Sequence, residues 1–264
     1  MPLPRRAGGR HPLAVTMDLL PDAPPPYRTV LFDCDSTLSA IEGIDELAGP
    51  QRGEIEALTR RAMAGELALE SVYGLRLERI RPRREDVLAL GARYVSALVP
   101  GARELVAALR FLGKRVCIVS GGLAPAVVEL GRALALEPRD VFAVQLSFGP
   151  DGGYAGFDRH SELARSGGKR ELVAGLASGA DAAPIALVGD GISDLEAAEG
   201  GALARFVAYG GVVRRPEVFA RARATAQEPD LACLLPLLVS ERELRILSRS
   251  REHERLCQRA STRP

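Results

Sequence analysis

Short apolar runs of strand length alternate with helical stretches along most of this chain. The runs lie at residues 29–32, 116–119 and 185–188, with a further strand candidate at 202–209. Helical patterns lie at residues 102–112, after Pro125 and at residues 168–177. A hairpin is predicted where residues 141–148 and 154–157 flank a glycine-rich turn. Strands that alternate with helices predict an α/β fold with a doubly wound, mostly parallel, Rossmann-like sheet.

One long segment interrupts this alternation. Between about residues 43 and 97, apolar residues recur at spacings of three and four, which is typical of amphipathic helices, and no strand pattern lies between them. Pro100-Gly101 closes the segment. The sequence therefore predicts an all-helical cap at residues 41–98, inserted into a core made of residues 27–40 and 99–238. Such a cap would exclude water from a substrate held at the strand ends.

Both ends of the chain are expected to lie outside this core. Residues 1–26 are rich in Pro, Arg and Gly, and their short apolar piece is broken by Asp18, so they lack the apolar core of a secretory signal. We expect a disordered tail there, with an organellar transit peptide and a start at Met17 left open as alternatives. The charged residues 239–264 predict a solvated C-terminal helix or tail.

The composition limits the classes of partner. The 264-residue chain carries a net charge of +1, which gives no electrostatic basis for binding nucleic acid or a membrane surface. No apolar stretch approaches the ~20 residues of a membrane-spanning helix. The cysteines form no Cys-x-x-Cys pair and are expected to be reduced thiols of a cytoplasmic protein. The oligomeric state is not decided by the sequence, and a homodimer is left open.

Four loops at the predicted strand and helix ends carry chemically active groups. They contain Asp33 and Asp35, then Ser120-Gly121-Gly122, then Lys169, and finally Asp190 and Asp194. Ligands of open α/β sheets bind beyond the carboxyl ends of the strands, where these carboxylates are expected to meet. A hydroxyl and free backbone N–H groups at a helix start suit a phosphoryl group. Carboxylates opposite a phosphate-binding loop indicate Mg²⁺ and phosphoryl transfer.

Two nucleotide-binding motifs fail on spacing. Gly168-Lys169 could end a P-loop, but Leu163 stands at the required glycine and Arg170 at the required Ser or Thr. Gly189-x-Gly191 begins like a dinucleotide fingerprint, but its third glycine position holds Asp194, whose charge would repel a pyrophosphate.

Seven short motifs occur in one order between residues 28 and 215. They are Asp33-Cys34-Asp35-Ser36-Thr37, Glu42-Gly43-Ile44-Asp45-Glu46-Leu47-Ala48, Arg61-Ala62-Met63, Ser120-Gly121-Gly122, Tyr154-Ala155-Gly156-Phe157, Ser166-Gly167-Gly168-Lys169 and Gly189-Asp190-Gly191. Together they resemble the phosphoserine phosphatases of the haloacid dehalogenase-like (HAD) superfamily. The core motifs alone specify only the superfamily. Glu42-Gly43-Ile44-Asp45, together with the arginines of the predicted cap, narrows the resemblance to this family.

The resemblance implies roles for the acidic residues. Asp33 would attack phosphorus and form an aspartyl-phosphate. Asp35 would protonate the departing oxygen and later take a proton from water. In the family, Mg²⁺ is held by the carboxylate corresponding to Asp33, the backbone carbonyl of Asp35 and Asp190, with Asp194 nearby.

The resemblance also implies how a small-molecule substrate would be bound. Phosphate contacts are expected from Ser120, Gly121, Gly122 and Lys169, with Met63 and Ser193 as further substrate-binding residues. Glu42 would face the amino group and Arg76 the carboxylate of an amino acid, since both contacts form charge-assisted pairs.

The function implied by this resemblance is Mg²⁺-dependent hydrolysis of O-phospho-L-serine, the last step of serine biosynthesis. Leu69 stands where many members have an aromatic residue that contacts the substrate. Another phosphomonoester, such as phosphothreonine or a phosphorylated amino alcohol, therefore stays open as the substrate. A non-catalytic binding module is the third alternative.

Overall fold

The structure is a computed structural model that describes residues 26–63 and 66–261, without the side chain of Met63. The predicted disordered tail, apart from Pro26, lies outside the described residues. No helix in the described part of the chain is both long and apolar enough to cross a membrane.

The described residues form the strands β1 (Thr29–Phe32), β2 (Arg115–Leu123), β3 (Val141–Val144), β4 (Leu146–Phe148), β5 (Tyr154–Phe157), β6 (Ile185–Gly189), β7 (Arg205–Tyr209) and β8 (Ala224–Ala226). Six of these strands form a parallel sheet at the centre of the molecule, in the order β3-β2-β1-β6-β7-β8, and β4 and β5 form a separate pair. The predicted doubly wound, mostly parallel sheet is confirmed.

Strand β1 lies in the middle of the sheet and is buried along its whole length. Leu31 pairs with Cys117 of β2 on one side and with Leu187 of β6 on the other. The chain builds β2 and β3 on one side of β1 before it crosses to β6, so the strand order reverses between β1 and β6. A ligand crevice is expected at the carboxyl ends of these two strands.

Helices cover the sheet and fill the long segment after β1. They are α1 (Gly43–Glu46), α2 (Arg52–Met63), α3 (Leu69–Ile80), α4 (Arg84–Ser96), α5 (Ala102–Phe111), α6 (Ala124–Ala133), α7 (Gly168–Ala177), α8 (Ile192–Glu199), α9 (Pro216–Phe219), α10 (Leu235–Leu238), α11 (Glu241–Ser248) and α12 (Glu254–Ser261). Helices α1 to α4 lie in the interval 41–98, where the sequence predicts the cap.

The predicted hairpin is present but shorter than expected. Strands β4 and β5 pair antiparallel across the glycine-rich turn. Residues Val141–Val144, predicted as part of the first hairpin strand, instead form β3 and pair in parallel with β2 of the central sheet. The apolar run thus belongs to two sheets.

The charged C-terminal run forms helices α11 and α12. Helix α11 begins with a capping box in which the Ser240 hydroxyl accepts from the Glu243 backbone N–H and the Glu243 carboxylate accepts from the Ser240 N–H. Leu247 and Leu256 are buried, and Glu243 forms an ion pair with the buried Lys114. Both helices therefore pack on the core through their apolar faces, although the sequence predicts a solvated helix or tail.

Candidate active site

The carboxyl ends of β1 and β6 hold two of the predicted acids. The Asp33 backbone N–H donates to the Val188 carbonyl at 2.9 Å, which extends the β1–β6 pairing to the aspartate itself. Asp190 directly follows β6, and Asp194 lies in the first turn of α8. Oxygens of Asp33, Asp190 and Asp194 all lie within 4.8 Å of one another. Three hard carboxylates at this spacing fit a Mg²⁺ ion.

Asp194 is held in place by its own loop. Its carboxylate accepts from the Gly191 N–H at 3.1 Å, which caps α8. A Cβ at position 189 would collide with the Asp194 carboxyl group, so glycine is required at the end of β6. Burial raises the pKa of Asp194 to about 6, against the opposing positive charge of Lys169.

Lys169 bridges two of these acids. Its Nζ lies 2.7 Å from Asp194 Oδ1 and 3.2 Å from Asp33 Oδ1, and the residue is only 5% exposed. Burial disfavours the charged ammonium, but Asp194 and Asp33 outweigh burial and raise the pKa of Lys169. Lys169 therefore stays positively charged beside the predicted nucleophile, where a phosphate oxygen is expected.

Asp35 is half-buried and receives two hydrogen bonds on one oxygen. The Tyr94 hydroxyl donates to Asp35 Oδ1 at 2.6 Å, and the Gly43 N–H donates to the same oxygen at 3.1 Å. Burial and the negative charge of Glu42 raise the pKa of Asp35 well above its usual range, while the Tyr94 hydrogen bond opposes this rise. A carboxyl group with a raised pKa is suited to acid–base catalysis.

A cavity of about 290 Å³ opens beside these groups. Six sequence-predicted site residues line it: Asp35, Glu42, Arg76, Gly121, Lys169 and Ser193. Its apolar wall consists of Ile44, Ala62, Leu67, Leu69, Leu163 and Ile192. The cavity thus joins a charged end to an apolar wall, as expected for a small polar ligand.

Arg76 is a buried guanidinium with no carboxylate at ion-pair distance among the described residues, although Thr59 links it to the Asp45 carboxylate. It is 3% exposed, donates from Nη1 to the Thr59 hydroxyl at 2.8 Å, and lies 5.6 Å from the centroid of the Tyr73 ring. Its Nε has no hydrogen-bond partner, and no ion pair to it forms among the described residues. A buried charge without a direct ion pair is costly, and an anionic group in the cavity could form a charge-assisted pair with Arg76.

The predicted loop Ser120-Gly121-Gly122 instead lies within the last four residues of β2, and Gly121 lines the cavity. The Ser120 hydroxyl accepts from the Gly122 N–H at 2.9 Å and is buried. The Gly121 carbonyl accepts from the Tyr73 hydroxyl of α3 at 2.8 Å.

A second contact joins the start of α3 to the loop before Lys169. The Leu69 N–H donates to the Ser166 hydroxyl at 3.0 Å, and the Ser166 N–H donates to the Glu70 carboxylate at 2.9 Å. Helix α3 therefore lies across the cavity and contacts the loops on its far side.

A family model for haloacid dehalogenase-like hydrolases matches residues 30–199, an interval that contains all of these groups. The chain belongs to this family. The family predicted from the sequence motifs is confirmed.

Three proteins similar to this hydrolase are described as phosphoserine phosphatases or as phosphoserine phosphohydrolase-like. The phosphoserine phosphatase of Rattus norvegicus is 38% identical over 191 residues, which cover 72% of this chain and 84% of the rat protein. A solved phosphoserine phosphohydrolase-like protein from Francisella tularensis matches with a TM-score of 0.73 and 25% identity, covering 80% of this chain and 100% of that chain. A phospho-aspartyl intermediate analogue of phosphoserine phosphatase matches with a TM-score of 0.69 and 26% identity, covering 81% and 100%.

Two polar residues of the hydrolase site are absent from the sequence-based prediction. Arg215 donates from Nε to Asp190 at 2.8 Å and from Nη2 to Glu42 at 3.1 Å. Tyr94 donates to Asp35. Arg215 could have been predicted, because it is a basic residue in the loop that follows a predicted strand. No comparable feature of the sequence distinguishes Tyr94 from the other residues of its helix. Met63, the remaining predicted substrate contact, has its side chain outside the described residues.

Proposed function

We propose that this hydrolase is a Mg²⁺-dependent phosphatase that hydrolyses O-phospho-L-serine to L-serine and phosphate. The observation that carries the proposal is the buried Arg76, which forms no direct ion pair within the described part of the chain and lines the same cavity as Glu42 and Asp35. A guanidinium and a carboxylate in one small cavity suit the carboxylate and ammonium of an amino acid. Lys169 at the same cavity suits its phosphate.

The reaction proceeds in two displacements. Asp33 forms a bond to phosphorus as the bond from phosphorus to the serine oxygen breaks, and Asp35 gives its proton to that oxygen. Water then attacks the aspartyl-phosphate, Asp35 takes the proton of the water, and the Asp33 carboxylate is released with inorganic phosphate. The raised pKa of Asp35 supports the first proton transfer, because the acid form must be available near neutral pH.

Mg²⁺ would be held by Asp33, Asp190 and the backbone carbonyl of Asp35, with Asp194 nearby, a set that the spacing of the three carboxylates supports. When bound, Mg²⁺ neutralises negative charge between the carboxylates and the phosphate. Lys169, Ser120 and the backbone of Gly121 and Gly122 would bind the phosphate oxygens and stabilise the charge of the transition state.

The parts of the protein around the site have proposed roles as well. Residues 41–98 serve as the cap, and residues 27–40 and 99–238 form the catalytic core. Met63 and Ser193 contribute further contacts to the serine moiety. A cytoplasmic location is supported by the four cysteines, all of which are buried and none of which forms a disulfide in the described part of the chain.

The test is phosphate release from L-phosphoserine, phosphothreonine, phosphoethanolamine and p-nitrophenyl phosphate, with Mg²⁺ and with EDTA. We expect Mg²⁺-dependent activity with a strong preference for phosphoserine, and no activity in Asp33→Asn, whose amide is not a nucleophile. Activity without that preference would favour a broader phosphomonoesterase, consistent with Leu69 on the apolar wall. No release from any of the four compounds would overturn the proposed function and favour a binding module.

A further inference from the structure

The hydrogen bonds of Asp35 distinguish its two carboxyl oxygens. The Tyr94 hydroxyl and the Gly43 N–H both donate to Oδ1, and no donor among the described residues is hydrogen-bonded to Oδ2. A protonated carboxyl group has one oxygen that only accepts and one that carries the proton. Because two donors already point at Oδ1, Oδ2 is the oxygen left available to carry a proton.

Tyr94 is fixed where it can impose this arrangement. The residue is fully buried, and its backbone carbonyl accepts from the Ser39 hydroxyl at 3.1 Å. Helix α4, which carries it, packs closely on α6 at Gly91, where a Cβ would lie 2.8 Å from Glu129 Cβ. A side chain at position 43 would collide with the Tyr94 hydroxyl, so Gly43 provides the space that this hydroxyl occupies.

We propose that Tyr94 is a positioning residue for acid catalysis, which holds Asp35 Oδ1 so that Oδ2 carries the proton given to the leaving oxygen. The inference rests on the proposed function, because it assigns Tyr94 a part in the same reaction. Tyr94 itself transfers no proton and does not contact the substrate. Its effect is to keep one oxygen of Asp35 aimed into the cavity, and misplacement of a catalytic group is costly in rate.

If Tyr94 has this role, the effect of Tyr94→Phe on kcat/KM should depend on the leaving group of the substrate. A serine alkoxide is a poor leaving group and needs its proton during bond cleavage, whereas an acidic phenol leaves without one. In Tyr94→Phe, we expect kcat/KM for phosphoserine to fall at least ~10-fold, because general acid catalysis contributes about 100-fold or more. For p-nitrophenyl phosphate we expect kcat/KM to change by less than ~3-fold, because this step needs little acid assistance.

The experiment measures kcat/KM of wild type and Tyr94→Phe on phosphoserine and on a series of aryl phosphates that differ in the acidity of the released phenol. The aryl series isolates the leaving group, because its members lack the amino and carboxylate groups of serine. The plot of log kcat/KM against the pKa of the phenol should be steeper for Tyr94→Phe than for wild type. Tyr27→Phe, the same change at a buried tyrosine at the amino end of β1, should match wild type.

The outcomes separate this inference from the proposed function. An active wild type with parallel plots for the two proteins, or equal losses on all substrates, overturns the role of Tyr94 and leaves the phosphatase proposal intact. An inactive wild type overturns both. If Tyr94→Phe fails to fold by circular dichroism, Gly43→Ala provides the second test, because its methyl group displaces the hydroxyl from Asp35. It should steepen the plot in the same way, and an unchanged slope in folded Gly43→Ala overturns the inference.

Discussion

The cations Lys169, Arg215 and Arg76 differ in what they pair with. Lys169 contacts two carboxylates, and Arg215 contacts two others, so the charges of these residues are compensated within the protein. Arg76 has a hydroxyl and an aromatic ring beside it, and no carboxylate of the described residues lies within ion-pair distance. The charges of Lys169 and Arg215 are therefore paired directly with carboxylates, whereas the charge of Arg76 is compensated only by the more distant Asp45, through Thr59.

The lack of a direct ion pair to Arg76 among the described residues predicts how Arg76→Ala changes kcat/KM for different substrates. A hydrogen bond to a charged group contributes roughly 1.5–3 kcal/mol, so kcat/KM for phosphoserine should fall about 10- to 150-fold. The activity on p-nitrophenyl phosphate should change far less, because that compound has no carboxylate. Arg79→Ala is the control, since Arg79 lies on the same helix, is exposed and pairs with Glu54. Equal losses on the two substrates would remove the proposed role of Arg76.

At the scale of elements, the C-terminal helices show how a charged segment can belong to the core. Helix α11 is mostly exposed, but Glu243 lies beside Lys114, whose side chain is only 3% exposed. Lys114 also donates to the Tyr27 carbonyl at 2.9 Å, immediately before β1. One buried ammonium therefore links the start of the central strand to the C-terminal helices.

This ion pair predicts a dependence of stability on pH. Burial alone would raise the pKa of Glu243, but hydrogen bonds from Lys114 and the Ser240 backbone outweigh it and lower the pKa. Since the unfolded state then binds the proton more tightly, the stabilisation is present above about pH 4.3, the unfolded pKa of Glu, and is lost as pH falls through the folded pKa.

The measurement is urea unfolding of wild type and Glu243→Gln between pH 3 and 7. We expect Glu243→Gln to be less stable by about 1–3 kcal/mol at pH 7, and the difference to shrink toward acid pH. Glu241→Gln, on the exposed side of the same helix, should stay close to wild type. A difference that is the same at every pH would contradict the ion-pair explanation.

At the scale of the whole molecule, the sheet brings together acids that are distant in sequence. Asp33 and Asp190 follow different strands, and the parallel pairing of β1 with β6 places both at one edge. Folding brings the three carboxylates within 4.8 Å of one another, so a divalent cation that binds this cluster should stabilise the folded chain over the unfolded one.

We therefore expect Mg²⁺ to raise the thermal unfolding temperature relative to EDTA. At a concentration about 100-fold above Kd the gain is about 2.7 kcal/mol, or a shift of roughly 5–10 °C for a chain of this size. Asp190→Asn should lose most of this shift. Asp181→Asn, which changes an exposed aspartate outside the cluster, should retain it. The same shift in Asp190→Asn would argue against a metal at this cluster.

The sequence predicts those parts of the fold that are determined by residues close together along the chain. An apolar strand such as β1 is recognisable by itself, and Asp33 is located by its position at the end of that strand. The separation of β3 from β4 is not recognisable, because both are apolar and only Gln145 lies between them. Whether a segment pairs with β2 or with β5 depends on contacts that no local pattern contains.

The same reason explains which site residues the sequence leaves out. The Arg215 contact with Glu42 spans 173 residues, and Arg214 beside it is chemically identical. Tyr94 fits the apolar pattern of α4 and is explained as a core residue until its partner Asp35, 59 residues earlier, is located in space.

The contact between α3 and the loop before Lys169 has a consequence for ligand exchange. Both of its hydrogen bonds, between Ser166 and the backbone or side chain of Leu69 and Glu70, are exposed. Separating the two surfaces replaces these bonds with bonds to water, at a cost of about 0.5–1.5 kcal/mol each. At this exposed edge of the cavity, α3 is therefore held less strongly than by the part-buried bond from Tyr73 to Gly121, and we expect ligands to enter and leave along this edge.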